Sequence, residues 1–193
     1  AGIIPWNYPI VLTSWFIFPA LLSGNCVLIK PAEDTPLSAL YIGKLAEEAG
    51  FPPGVINVLP GRGELTGQFM AEHPGIRYIS FTGSPGVGQH ILRTCDRHGT
   101  RMKREMGGNG AAIVLEDADP QAVARMIGRH TNQHFGQTCC TIHRVFVAQK
   151  IADDFIDAQR EFFSDLKIGY QADAGTQLGA VINSTQRSRI LAA

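Results

Sequence analysis

Net charge, cysteine and long apolar runs are all scarce in this 193-residue sequence. Its 17 basic residues equal its 17 acidic residues, and neither sign forms a stripe or a block. Proteins that track nucleic-acid phosphates usually carry a basic excess, so we expect no nucleic-acid partner. The lack of a polybasic cluster also argues against attachment to an anionic membrane surface.

The longest apolar segment, residues 8–24, falls short of the roughly 20 apolar residues that a membrane-spanning helix needs. Thr13, Ser14 and Pro19 interrupt it, and it lacks the basic flank of a signal peptide. We therefore expect a buried helix packed against a sheet, and no membrane partner.

The four cysteines do not suit two common structural uses. They form no Cys-x-x-Cys pair with histidine partners, so we expect no zinc site and no other metal. A bond between the adjacent Cys139 and Cys140 would close a strained ring, far from ordinary disulfide geometry. Cys26 and Cys95 lie in patterns typical of buried small hydrophobic residues. This usage favours a reducing compartment, and we expect a cytoplasmic protein.

Short apolar runs alternate with helical segments through the first half of the chain. The predicted strands are residues 26–30, 55–59, 77–81 and 100–106, and the predicted helices are residues 35–50, 64–72 and 82–97. This rhythm is typical of an α/β fold with a parallel sheet, in which ligands bind at the carboxyl ends of strands. The expected apolar face of the 35–50 helix consists of Leu37, Leu40, Tyr41, Leu45 and Ala49.

The strand and helix pattern restarts after Gly107 and Gly108, which places a domain boundary near residue 107. The segments that follow are predicted as strands at 111–115 and 143–149 and as helices at 119–133 and 151–166. We expect residues 1–106 to form one α/β domain and residues 107–193 to begin a second.

The segment FTGSPGVG, residues 81–88, leads from a strand into a helix through a glycine-rich turn. Free N–H groups at such a helix start form an anion site suited to a pyrophosphate, near Gly83 and Ser84. The alternative is a turn that is glycine-rich for packing alone. A second segment, GRGELTG at residues 61–67, misses the dinucleotide-binding glycine spacing, and we interpret it as a turn.

Three charged residues follow or end predicted strands. Lys30 and Glu33 stand where an ammonium group and a carboxylate can hold ribose hydroxyls, although a solvated loop with an incidental charge pair is the alternative. Glu105 stands beside two glycines at the domain boundary. It can act as a general base if burial raises its pKa, and otherwise it is a surface glutamate.

The Cys139–Cys140 doublet offers a nucleophile, since the thiolate is the reactive form of cysteine. Adjacent thiols cannot point the same way, so we expect one to face a crevice and the other to pack. His134 and His143 raise the alternative of a cofactor-independent Cys-His hydrolase. Structural roles for both histidines fit their spacing from the thiols better.

Six ordered motifs together resemble those of the aldehyde dehydrogenase superfamily. They are IIPWNYP (3–9), KPAEDTPLSAL (30–40), GFPPGVINVLPG (50–61), FTGSPGVG (81–88), EMGGNGAAIVLEDAD (105–119) and GQTCC (136–140). The resemblance covers essentially the whole chain. It implies that residues 1–106 form a Rossmann-like NAD-binding domain and that residues 107–193 begin an α/β catalytic domain.

The resemblance implies a role for each residue that matches a family motif. Cys139, two places after the Gly-Gln pair, is the implied nucleophile, Glu105 the general base and Asn7 the oxyanion-hole amide. The implied cofactor-binding residues are Ile4, Pro5, Trp6, Lys30, Glu33, Gly83, Ser84 and Gly107.

The implied reaction oxidises a small-molecule aldehyde to a carboxylic acid with NAD, or with NADP as the alternative cofactor. It passes through a hemithioacetal and a thioester on Cys139, and Glu105 activates the water that hydrolyses the thioester. Glu33 favours NAD because its carboxylate would repel a 2′-phosphate. The resemblance also implies a homodimer or a homotetramer of the complete enzyme.

Two features depart from the family pattern. His134 stands two places before the Gly of Gly-Gln, where family members usually carry Asn, and this bears on the loop conformation. The family's later Glu-x-Phe-Gly-Pro motif is absent and the sequence opens on Ala1, so we expect an internal fragment of a longer enzyme. The competing interpretation is an inactive fragment that retains only the core of the fold.

Overall fold

The computed structural model describes residues 1–192. The chain divides into two compact units, Ala1–Gly107 and a second that begins at Gly108. The division falls beside the boundary expected at residue 107. Within the described residues, no helix is both long enough and apolar enough to cross a membrane.

The first unit contains five strands and four α-helices. The strands are β1 (Gly2–Ile3), β2 (Val27–Lys30), β3 (Ile56–Val58), β4 (Tyr78–Gly83) and β5 (Arg101–Met106). The helices are α1 (Pro9–Leu22), α2 (Leu37–Glu48), α3 (Gln68–Glu72) and α4 (Pro85–His98). All predicted strands and helices of this unit are confirmed, with ends that differ by a few residues. The strand β1 was missed, because two residues are too few to show any periodicity.

The five strands form one parallel sheet in the order β3-β2-β1-β4-β5, which confirms the Rossmann-like α/β fold. The chain runs outward from β1 to β2 and β3 on one side, then returns to place β4 and β5 on the other. The order therefore reverses between β1 and β4. Ligands of open parallel sheets bind outside the carboxyl ends of the strands at such a reversal.

The helix α1 buries only one of its faces. Thr13, Phe16 and Ile17 are buried, and the latter two pack with Val27 and Ile29 of β2. Trp15, in contrast, is 70% exposed, and the other exposed large residues of this helix are Ile10, Val11, Phe18 and Leu22. The helix expected at 8–24 thus packs against the sheet as predicted, but it is buried on one face only.

The predicted apolar face of α2 is also wrong. Its members are all exposed, and Leu37 is 77% exposed. The buried residues are Ala39 and Ala46, and a Cβ built on Gly43 would lie 3.3 Å from the Val58 side chain of β3. Small residues form the contact because they let the helix backbone approach the sheet closely. The larger residues consequently lie outside.

The two cysteines of the first unit differ in burial. Cys95 is buried in the core beside Ile79, Phe81 and Ile91, as predicted. Burial raises the pKa of its thiol, and the neighbouring Asp96 carboxylate adds to the increase. Cys26 is exposed, so its predicted burial is wrong. It lies one residue before β2 begins and does not share the buried position of Val27.

The second unit contains a two-stranded parallel sheet and three α-helices. Its elements are β6 (Gly110–Val114), α5 (Pro120–Asn132), β7 (Ile142–Val147), α6 (Ala152–Ser164) and α7 (Ser184–Leu191). Asp119 caps α5 by accepting hydrogen bonds from the N–H groups of Gln121 and Ala122. The core contains Val114, Ala124, Ile127, Phe155 and Ala158. The predicted strands and helices of this unit are confirmed.

A pair of aliphatic truncations distinguishes the observed core from the one expected from sequence. Ile29 is fully buried, so we expect Ile29→Ala to lower the free energy of unfolding by about 2–5 kcal/mol. Leu37→Ala should change it by less than about 0.5 kcal/mol, because the side chain already lies in solvent. Urea unfolding of both variants measures the difference. Equal losses would contradict the burial of the two residues.

Candidate active site

The segment that leaves β1 is fixed by one backbone and one side-chain hydrogen bond at the strand reversal. The N–H of Ile4 donates to the Lys30 carbonyl at 2.9 Å and so extends the ladder between β1 and β2. The Thr35 hydroxyl donates to the Trp6 carbonyl at 3.4 Å. Pro5 and Asn7 belong to the same segment, which begins at the carboxyl end of β1. Four sequence-predicted residues therefore lie at the expected edge of the sheet.

Lys30 and Glu33 form a pair that is held by two other groups, the Pro31 carbonyl and the Gly63 N–H. The side chain of Lys30 is only 3% exposed, and its Nζ donates to the Pro31 carbonyl at 3.0 Å and to Glu33 Oε2 at 3.5 Å. The N–H of Gly63 donates to Glu33 Oε1 at 2.5 Å. The interpretation as a solvated, incidental charge pair is therefore wrong for Lys30.

These contacts keep the Glu33 carboxylate charged. Partial burial raises the pKa of this carboxyl, but the N–H groups of Glu33 and Gly63 and the Lys30 ammonium lower it more, and the net pKa lies below its ordinary value. The segment 61–67 is a π-helical turn at Gly63–Gly67 rather than a simple turn. The N–H of Gly63, the first residue of this turn, donates to Glu33. The glycine spacing alone did not indicate this contact.

The glycine-rich turn after β4 contains one glycine that serves packing and one that leaves the helix start open. Gly88 serves packing, since a Cβ there would lie 3.0 Å from Phe81 and 3.0 Å from the Met106 sulfur. At Gly86, a Cβ would meet no described atom within 4 Å, so the first turn of α4 lies open. Ser84 is the N-cap residue in an extended conformation, and it follows Gly83 at the end of β4. This open helix start adjoins the strand reversal and can receive an anion.

Glu105 lies on β5 opposite Thr82 of β4. Its side chain is 57% exposed and pairs with Lys103 at 3.3 Å. The Glu105 carboxylate is therefore largely exposed within the first unit. Gly107, at the end of this unit, is also exposed.

The loop before Cys139 contains a backbone conformation that sequence reasoning did not anticipate. His134 and Phe135 have φ of 53° and 58°, and Gly136 follows with φ of 74°. Two of these three left-handed residues carry a side chain, at a cost of about 1–2 kcal/mol each. Cys139 itself is exposed, and its carbonyl oxygen passes 3.5 Å from the position of a Cβ on Gly108.

Cys140 differs from Cys139 in its hydrogen bonds rather than in burial. Its thiol lies 3.3 Å from the Thr138 hydroxyl, and its carbonyl accepts from His130 Nε2 at 3.0 Å. Both cysteines are exposed, so the expectation that one of them packs inside is wrong. His130 and Thr138 were missed because their contacts with Cys140 form only in the folded loop. His143 is an exposed residue of β7.

The structure therefore gathers the predicted cofactor residues of the first unit at strand ends. Residues from Ile4 to Asn7 follow β1, Lys30 and Glu33 end or follow β2, and Gly83 and Ser84 end or follow β4. Among residues 1–192, no group of three or more His, Cys, Asp or Glu side chains is placed to hold a metal ion. The arrangement suits a ligand that carries both hydroxyl groups and phosphates.

Comparisons with known proteins identify the family of this chain. The model of the aldehyde dehydrogenase family matches residues 1–193. Retinal dehydrogenase 2 of Homo sapiens is 43% identical over 190 residues, which are 98% of this chain and 37% of that protein. Phenylacetaldehyde dehydrogenase of Pseudomonas fluorescens is 38% identical over 191 residues, which are 99% of this chain and 38% of that protein.

Solved structures give the same result for the fold. The crystal structure of PnpE in complex with nicotinamide adenine dinucleotide superposes with a TM-score of 0.95 at 39% identity, over 99% of this chain and 39% of that one. The chain thus spans 37% to 39% of the length of these relatives. Because the family model matches residues 1–193 and a relative is 43% identical over 98% of the chain, the chain belongs to the aldehyde dehydrogenase family.

Proposed function

We propose that this chain provides the cofactor-binding and nucleophile-bearing parts of an NAD-dependent aldehyde dehydrogenase. The observation that carries the proposal is the strand order around β1, in which β2 on one side ends at the Lys30–Glu33 pair and β4 on the other side leads into the open start of α4. We assign residues 1–106 to cofactor binding and residues 107–193 to the catalytic domain. The NAD complex of PnpE, whose fold is the same, supports this assignment.

The residues present fit a dinucleotide. The Glu33 carboxylate keeps lone pairs for ribose hydroxyls beyond the two bonds it accepts from Lys30 and Gly63. The N–H groups of the first turn of α4 suit a pyrophosphate, and the exposed Ser84 hydroxyl lies beside them. Ile4, Pro5, Trp6, Gly83 and Gly107 complete the proposed cofactor set. When bound, the nicotinamide supplies a hydride acceptor.

The proposed chemistry of the chain centres on Cys139. Its thiolate attacks the carbonyl carbon of a small-molecule aldehyde and forms a C–S bond. The side-chain N–H of Asn7 and the backbone N–H of Cys139 donate to the oxyanion that develops. After oxidation, Cys139 carries the acyl group as a thioester. Glu105 takes a proton from the water that hydrolyses it, which releases a carboxylic acid and restores the thiolate.

The oligomeric state and the cellular compartment are also part of the proposal. We propose a homodimer or homotetramer and a cytoplasmic enzyme, on the grounds of the family resemblance and of the four free cysteines. Molecular mass in solution, measured by light scattering on the natural protein, tests the first part.

The two adjacent cysteines should respond differently to substitution. We expect Cys139→Ala to lower kcat by about 10³-fold or more, because no other thiol can carry the acyl group. Cys140→Ala is the matched control and should retain most of the activity, since its thiol bonds with Thr138 and takes no part in the chemistry. NADH formation from a panel of aldehydes measures both. The opposite behaviour of the two variants would overturn the assignment of the nucleophile.

Removal of the proposed base should separate the two half-reactions. Glu105→Gln keeps the shape of the side chain but cannot take a proton, so deacylation should slow by about 10²–10⁴-fold. Acylation does not need this base, and we expect a burst of NADH followed by a slow steady state. Stopped-flow absorbance records the burst. Lys103→Met, which removes only the ion-pair partner of Glu105, should keep steady turnover.

The charge of Glu33 should set the preference between NAD and NADP. Glu33→Gln removes the repulsion of a 2′-phosphate, and we expect the ratio of kcat/KM for NADP to that for NAD to rise about tenfold. Because the pKa of this carboxyl is lowered, the discrimination should persist at neutral pH and weaken only as the pH falls through that pKa. Steady-state kinetics with both cofactors tests this. An unchanged ratio would remove Glu33 from the cofactor site.

A further inference from the structure

The three consecutive left-handed residues before the nucleophile need external support. His134, Phe135 and Gly136 adopt φ of 53°, 58° and 74°, and side chains disfavour this region. Such a turn persists only where surrounding contacts hold it. The position of the Cys139 loop therefore depends on the groups that contact this turn.

Gln137 supplies two of these contacts with the two ends of its amide. Its Nε2 donates to the His134 carbonyl at 3.3 Å, and its Oε1 accepts from the N–H of Ile182 at 2.9 Å. Its backbone N–H also donates to the His134 carbonyl, at 3.1 Å. One side chain thus connects the left-handed turn to a segment 45 residues further along the chain.

The segment that receives Gln137 is itself anchored. We name residues 177–183 the strap. At one end, the N–H groups of Gln177 and Leu178 donate to the Lys167 carbonyl at 2.8 and 3.1 Å. At the other end, Asn183 caps α7 by accepting from the N–H of Gln186 at 2.8 Å. The strap is therefore a fixed support and not a free loop.

The strap also contacts the turn through Phe135. A Cβ built on Gly179 would lie 3.2 Å from Phe135 Cζ and 3.1 Å from the Gln171 Cβ. The absence of a side chain at Gly179 therefore lets the aromatic ring lie directly on the strap backbone. A left-handed phenylalanine and a bridging glutamine hold the same turn from two directions.

We propose that Gln137 is a positioning residue, which sets the place of the Cys139 sulfur by tying the left-handed turn to the strap. The inference rests on the proposed function, in which Cys139 is the nucleophile. Gln137 itself does not react. It needs one donor and one acceptor at fixed separation, which glutamine provides and methionine, of similar length, does not.

The test compares Gln137→Met with Gln133→Ala in the natural protein. Gln133 is exposed and lies in the same loop, so its variant is the matched control. We expect Gln137→Met to lower kcat by about 10²-fold, the usual effect of a nucleophile displaced by about 1 Å. The KM for NAD should stay within about twofold, which a general loss of structure would not allow. Gln133→Ala should match the wild type in both constants.

A second readout does not depend on turnover. Iodoacetamide alkylation, located by tandem mass spectrometry, gives the rate at Cys139 relative to the exposed Cys26 of the first unit. We expect this ratio to change at least about threefold in Gln137→Met, because the surroundings of only one of the two thiols change. If no aldehyde yields NADH with the wild type, the proposed function fails, while the alkylation ratio still decides the positioning role.

Gly179→Ala disturbs the same support without altering Gln137. Its Cβ would push against the Phe135 ring, so we expect the same loss of kcat and the same change in the alkylation ratio. A folded Gln137→Met variant with both quantities within twofold of the wild type would overturn the inference. If Gln137→Met cannot be recovered in folded form, wild-type values for Gly179→Ala overturn it instead.

Discussion

The position of β1 between β2 and β4 is the constraint on which the rest of the first unit depends. This strand contributes two residues, yet it pairs with Ile29 and Lys30 on one side and with Ser80 and Phe81 on the other. Because all three strands are parallel, the segments that leave them start from one edge of the sheet. The Ile4 N–H extends the ladder by one further hydrogen bond. β1 therefore joins β2, which ends at the Lys30–Glu33 pair, to β4, which leads into the start of α4.

Burial raises the pKa of the Glu33 carboxyl at that edge, but hydrogen bonds and the Lys30 ammonium together outweigh it. Glu33 is about half exposed, and its partner Lys30 is almost fully buried. A buried ammonium group requires partners, and the Pro31 carbonyl and the Glu33 carboxylate provide them. The Gly63 N–H holds the second carboxylate oxygen in place. The carboxylate is therefore charged and preorganised, which is the state that favours hydroxyl groups over a 2′-phosphate.

Sequence patterns predicted the positions of the strands and helices better than they predicted which residues are buried. Every predicted strand and helix exists, because strand runs and helix caps are local signals such as Asp119 before α5. The buried face of α2 was wrong, since its largest apolar residues were chosen over Ala39 and Ala46. Packing distance selects small residues there, and no local pattern contains that distance. The predicted burial of Cys26 was wrong for a different reason, because the buried strand begins only at its neighbour Val27.

By itself, the sequence determined the α/β class, the order of the motifs and the family, because each depends on residue types at short separations along the chain. Only the tertiary structure decided the reversal at β1, the partners of Glu33 and the left-handed turn at His134 and Phe135. It also connected Gln137 with the N–H of Ile182. These features arise from groups tens of residues apart, and their hydrogen bonds and contacts exist only once the chain has folded.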